Sequence, residues 1–181
     1  MTYRIIGALI ITSVLGACSA KPLPMSASPI NVTPVNKAAA IGADVYGTQR
    51  AENPNLPKFK GVSTVVLRTY YDGEELGDRK EIGGAKCSIT ASNLYTAEAT
   101  SPATLVVPNY GGRSPLVSGK CTSGTMMGEG TAEIYNLRTE EIRSASSGAG
   151  LIGFVVGAAI AHATADENDP YLYRDLAVDI K

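Results

Sequence analysis

The stretch GAKCSITAS, residues 84–92, constrains this chain more than any other. Ala85, Cys87, Ile89 and Ala91 alternate with Lys86, Ser88, Thr90 and Ser92. A period of two puts one set on the buried face of a strand and the other in water. The same texture recurs from residue 61 onward. GVSTVVLRTYY (61–71) is a β-branched run ending at the turn residues DGEELGD, PATLVVP (102–108) is a strand bounded by prolines, and PLVSGKCTS (115–123) sets Val117 and Cys121 on one face. LAVDI (176–180) alternates again, with Leu176, Val178 and Ile180 opposed to Ala177 and Asp179. Short alternating runs separated by Gly, Pro and Asn predict a mainly β, largely antiparallel sandwich or sheet domain over 61–181.

The chain holds three cysteines, at Cys18, Cys87 and Cys121, so a single disulfide leaves one over. The odd one is explained by its neighbours. Arg4 precedes an eleven-residue apolar run, IIGALIITSVL, too short to span a bilayer. Small residues then lead into Cys18, so 1–17 is expected to be a secretory signal. The junction Leu15-Gly16-Ala17-Cys18 resembles the lipobox of bacterial lipoproteins. That resemblance implies cleavage before Cys18 and acylation of its thiol and new amine. Several acyl chains, at ~0.8 kcal/mol per buried CH₂, suffice for stable anchoring. Ser19 follows Cys18 rather than Asp, which by the same resemblance implies sorting to the outer membrane, with the domain facing the periplasm.

Residues 18–60 read as a Pro-rich, disordered tether. Six prolines fall between Lys21 and Pro57, and such composition favours extended chain. Within it, 36–52 offers a short helix capped by Asn36, against which Gly42 and Gly47 argue.

In an exported protein, Cys87 and Cys121 on inward strand faces are expected to be disulfide-bonded. Closing a loop of this length stabilises by about 3–4 kcal/mol in the chain-entropy model. Residues 84–124 also carry a family resemblance through Gly84, Ala85, Cys87, Pro102, Ala103, Leu105, Val107, Leu116, Val117 and Cys121. They resemble a block in small Gram-negative envelope lipoproteins, where a G-A-x-C strand, a P-A-x-L-x-V-P strand and an L-x-V-x-C strand precede a Gly-rich turn. That arrangement is similar to the PEGA module of cell-surface proteins, although the Pro-Glu-Gly-Ala string itself is missing. The resemblance implies a non-catalytic β module.

Residues 145–165 form a Gly-rich segment expected to be helical. Ala145, Ala149, Gly153, Gly157 and Ala161 recur every four residues, a stripe of small side chains that permits close helix packing. It resembles a glycine zipper, of the kind found paired in some outer-membrane lipoproteins. The apolar run from Gly148 to Ala161 is 14 residues, short for a span. Three uses compete: packing on the protein's own sheet, self-association or docking of another envelope protein through 145–161, and insertion into lipid. The last would make a membrane-active oligomer supporting translocation or permeability. The strand runs on either side favour an excursion from the β domain.

Chemistry is sparse. His162 is the one histidine, so acid–base catalysis has little to draw on. The carboxylates of GEELGD and DENDP do not follow a calcium-loop spacing, and YGGRSP lacks the lysine and context of a phosphate loop. Neither metal nor cofactor is expected. A net charge of −1 gives no footprint for nucleic acid. The expectation is a non-catalytic, lipid-anchored envelope protein with a structural or interaction role.

Overall fold

A computed structural model describes residues 21–25, 28–71, 73, 79–147, 166 and 168–181. Its strands are β1 (Ile30–Asn31), β2 (Thr33–Pro34), β3 (Val62–Tyr71), β4 (Lys80–Ile82), β5 (Lys86–Ala91), β6 (Tyr95–Thr100), β7 (Ala103–Pro108), β8 (Val117–Ser123), β9 (Met126–Ala132), β10 (Ile134–Asn136), β11 (Tyr171–Tyr173) and β12 (Leu176–Ile180), with one helix, α1 (Leu137–Ser147). The mainly β class follows from the alternation: β5 and β6 bury every second residue.

Two sheets face each other. The first runs β1-β7-β3-β12, with β4 also on β3; the second runs β2-β6-β5-β8-β9. Turn chemistry sets the hairpins. At β5–β6, Ser92 and Asn93 both adopt positive φ, and the Leu94 amide donates to the Ala91 carbonyl, the backbone of a tight primed turn. Gly124, at φ 62°, closes β8–β9. Two pairings are parallel, β1 with β7 and β12 with β3. The C-terminal strand therefore returns beside the first long strand, which no local turn could bring about.

The two sheets are joined at both edges. On one side the chain crosses directly from β1, on β7, to β2, on β6, with the Val32 amide donating to the Val106 carbonyl at 3.2 Å. On the other, Met127 and Lys181 exchange amide–carbonyl hydrogen bonds of 3.2 and 3.3 Å. There β12 packs straight onto β9. A Cβ on Gly128 would collide with the Asp179 carbonyl, and one on Gly130 with that of Ala177. Between the sheets Val65, Leu67, Ile89, Leu105, Val107, Val117, Leu176, Val178 and Ile180 are fully buried.

Cys87 and Cys121 are bonded to each other. They lie opposite in the β5–β8 ladder, with Cα atoms 4.1 Å apart, the close approach of a non-hydrogen-bonded antiparallel pair.

The expected disordered tether does not extend to residue 60. From Ile30 onward residues 18–60 belong to the domain: β1 and β2 pair with the sheets, and Ala39, Asp44 and Val45 are buried. Pro34 is tolerated because β2 is an edge strand. Residues 36–52 do not form the capped helix. The Asn36 side chain caps only a turn, through the Ala39 amide at 3.3 Å, and a single 3-10 turn follows at Gln49–Ala51.

The helical excursion begins earlier than its small-residue stripe. Asn136 caps α1 by accepting from the Thr139 amide at 3.1 Å. The β10–β11 pair and the bond from Asn136 Nδ2 to Asp169 Oδ2 bring both ends of the excursion together. Ala145 is in α1; Ala149, Gly153, Gly157, Ala161 and His162 lie outside the described residues, as do 1–20 and Cys18. Among the described residues no helix is long and apolar enough to cross a membrane.

Candidate functional site: a basic cleft at the end of the sandwich

Three segments distant in sequence meet where β3 begins and β7 ends. Residues 54–60 form one wall, the loop after β7 a second, and Tyr171 of β11 the third. The cleft measures about 490 Å³, within the usual range for small-ligand sites. Its lining includes Lys58, Lys60, Arg113, Tyr110 and Tyr171, with no carboxylate, histidine or cysteine among the described lining residues.

Asn109 braces this site from behind its lining. Its Nδ2 donates to Ser63 Oγ at 2.6 Å and to the Tyr171 carbonyl at 3.0 Å, tying β3 to β11. Its Oδ1 accepts from the Gly111 amide at 2.7 Å and shapes the loop, which Gly111 enters with φ 62°. Ser114 locks the far side, accepting from the Tyr110 amide and donating to the Gly111 carbonyl. Gly112 lies so close to the Tyr171 ring that a Cβ there would sit 3.2 Å from it. These contacts hold the backbone, so Lys60 and Arg113 project from a fixed frame.

Among the described residues the cations meet a ring and a backbone carbonyl, not carboxylates. Lys60 Nζ stands 5.8 Å from the Tyr171 ring centroid, and Arg113 donates to the Asn55 carbonyl at 2.8 Å. Neither Lys58, Lys60 nor Arg113 has an ion-pair partner among the described residues. Three cations lining one cleft with a tyrosine ring suit an anion attached to a ring-shaped or apolar body.

Behind the cleft lies a buried polar network. Arg50 grips both oxygens of Asp44, at 2.6 and 3.0 Å, and also donates to the Pro57 carbonyl. Asp44 accepts further from the Tyr46 amide and the Tyr110 hydroxyl, each at 3.1 Å. Burial pushes the Asp44 carboxyl up, but Arg50, the Tyr46 amide and the Tyr110 hydroxyl together outweigh it and hold the group below its ordinary value. Burial raises the Tyr110 hydroxyl, and the neighbouring Asp44 charge adds to the shift. Tyr110 also packs on Tyr46 edge-on, centroids 5.2 Å apart, and on Phe59 at 6.0 Å. The network fixes the 54–60 wall against the sandwich.

A second depression, about 520 Å³, lies on the outer face of the second sheet among Ser88, Thr90, Ser118, Lys120, Glu129 and Thr131. Its charges, Lys120 and Glu129, are exposed and paired with each other. The cleft, with three cations in its lining and a braced frame, is the better-built site. Among the described residues no group of His, Cys, Asp and Glu is placed to hold a metal ion.

The positions singled out from sequence build the frame. Ala85, Cys87, Ala103, Leu105, Val107, Val117 and Cys121 are buried in the core, Gly84 and Pro102 adjoin it, and Leu116 is exposed. The cleft residues escaped that reading. PKFK (57–60), YGGRSP and Tyr171 are each unremarkable alone, and only their basic and aromatic character hinted at a common use.

Comparison with protein-family models, with curated proteins and with solved structures finds no match for this chain.

Proposed function

We propose that this protein is a lipid-anchored component of the bacterial envelope. It is held at the outer membrane by acylated Cys18, and its β domain binds a partner without catalysis. The observation that carries the reading is how the three cysteines divide. Two are bridged inside the core, which fits an oxidising compartment. The third stands in Leu15-Gly16-Ala17-Cys18, directly after an apolar run of signal length. The basic cleft supplies the binding element, and an anionic small molecule or the anionic group of a larger envelope component is its natural occupant.

The test is an intact-mass spectrum of the protein extracted in mild detergent from its own envelope, beside a Cys18→Ser variant. The expected parent begins at Cys18, carries acyl chains and is two mass units lighter than its reduced form. The variant is expected to lose the lipid and leave the membrane fraction. A parent that retains residues 1–17, or lacks lipid, overturns the proposal.

A further inference from the structure

The chain just after Cys18 is fastened to the domain. The Leu23 amide donates to Glu81 Oε2 at 3.0 Å, and Arg68 donates to the Leu23 carbonyl at 3.3 Å. Arg68 and Glu81 pair with each other beneath this crossing, retaining only 17% and 13% side-chain exposure. Arg68 also reaches Met25 Sδ at 3.4 Å, and the Leu23 side chain lies over Gly83. Residues 23–25 are thus a strap laid on the outer face of the first sheet, across β3 and β4.

Leu23 comes five positions after Cys18, and a fully extended chain gains at most about 3.6 Å per residue. The acylated end therefore lies within about 18 Å of that outer face, too short a lead for the domain to turn freely. Outward residues of the first sheet include Val62, 54% exposed, and the half-buried Val66 and Val106, beside the charged Arg68, Glu81 and Asp179, and Met25 of the strap adds 37% exposure. The opposite face is rich in hydroxyls, among them Ser88, Thr90 and Thr131, but also carries Lys120, Glu129 and Met127, the last 56% exposed. What distinguishes the two sides is the strap fastened to one of them, not their polarity.

We infer that the strap seats the outer face of the first sheet on the lipid surface and turns the hydroxyl-rich face of the second sheet away from it. This rests on the proposed acylation of Cys18. It adds what acylation alone leaves open, namely which side of the domain meets lipid.

The chain contains no tryptophan, so a single introduced one reports its own surroundings. Lipidated Thr64→Trp and Thr90→Trp proteins, labelled on opposite faces, are reconstituted in vesicles of phosphatidylethanolamine and phosphatidylglycerol with brominated acyl chains. Quenching several-fold stronger at position 64 is expected. A Gly/Ser spacer longer than the domain, inserted between Ala20 and the exposed Lys21 and so ahead of the strap, is expected to reduce quenching at 64 to the level at 90. Thr104→Trp and Thr131→Trp repeat the comparison should either first label disturb folding. Equal quenching, stronger quenching at 90, or a difference that survives the spacer overturns the inference. Failure of the acylation reading is recorded separately, as protein without acyl mass before any vesicle is made.

Discussion

At the residue scale, Asp44 decides how firmly the cleft wall is held. Four donor contacts converge on its carboxylate, two from Arg50, one from the Tyr46 amide and one from the Tyr110 hydroxyl. Asp44→Ala leaves these donors without their acceptor and is expected to cost about 2 kcal/mol, as for other charge-assisted hydrogen bonds that leave buried groups unpaired. The sign of its pH dependence follows from the lowered carboxyl. A group whose folded value lies below its unfolded one, near 3.9, binds protons more readily when unfolded. Its stabilisation is complete above about pH 4 and is lost as the pH falls through the folded value. Thermal melts of parent and Asp44→Ala should therefore differ most above that pH and converge below it. A constant difference down to strong acid would mean that the carboxylate charge contributes nothing.

At the scale of elements, the C-terminal strand and β9 make the join that closes the sandwich. Met126, Gly128, Gly130 and Ala132 share the inward side of β9, and the two glycines leave room for the β12 backbone. Gly128→Ala drives a methyl group into the Asp179 carbonyl, which belongs to rigid backbone and cannot swing aside. A loss of about 1–3 kcal/mol is expected from such overpacking, read as a lower denaturation midpoint. Hydrogen exchange should speed up most at the Met127 and Lys181 amides, which join the two strands. Unchanged protection there would show that the edge is not closed by this contact.

That join also shows where sequence reading stopped. Period-two runs rich in Val, Ile and Leu gave away β3, β5, β7, β8 and β12, because the pleat itself writes the alternation. MMGEGTA carries no such mark: its glycines resemble a turn until β12 is seen lying on them. YTAEAT, now β6, buries Tyr95, Ala97 and Ala99, but small alanines signal a core face weakly. Residues 30–34 looked like tether because Pro34 is a poor strand residue, and pairing at an edge is what admits it. The cleft was less legible still. Lys58, Lys60, Arg113 and Tyr171 span more than a hundred positions and form no motif; a parallel return and the eight-residue loop between β7 and β8 bring them together. No local pattern encodes either.

At the scale of the whole molecule, charge is nearly balanced, with 16 basic and 17 acidic residues. A cleft with three cations and no lining carboxylate is therefore a local concentration, not the expression of a basic protein. As the proposed binding element, such a site is expected to select ligands by charge at short range, with Tyr171 offering a flat wall for the apolar face of a sugar ring or for a planar body. Oligomers of galacturonic acid combine both features, and neutral galactose oligomers lack the charge. Titration calorimetry on the full chain is expected to show binding of the acidic oligomer alone, weakening as salt rises because exposed charges are screened within about 8–10 Å. Arg113→Ala should reduce that affinity about tenfold, the equivalent of one charged hydrogen bond of roughly 1.4 kcal/mol. Lys120→Ala, on the outer face of the second sheet, should leave it unchanged. If both oligomers bind alike, the tyrosine wall and not the cations governs recognition. If Lys120→Ala weakens binding as much as Arg113→Ala does, the open face of the second sheet is the site and the cleft is not.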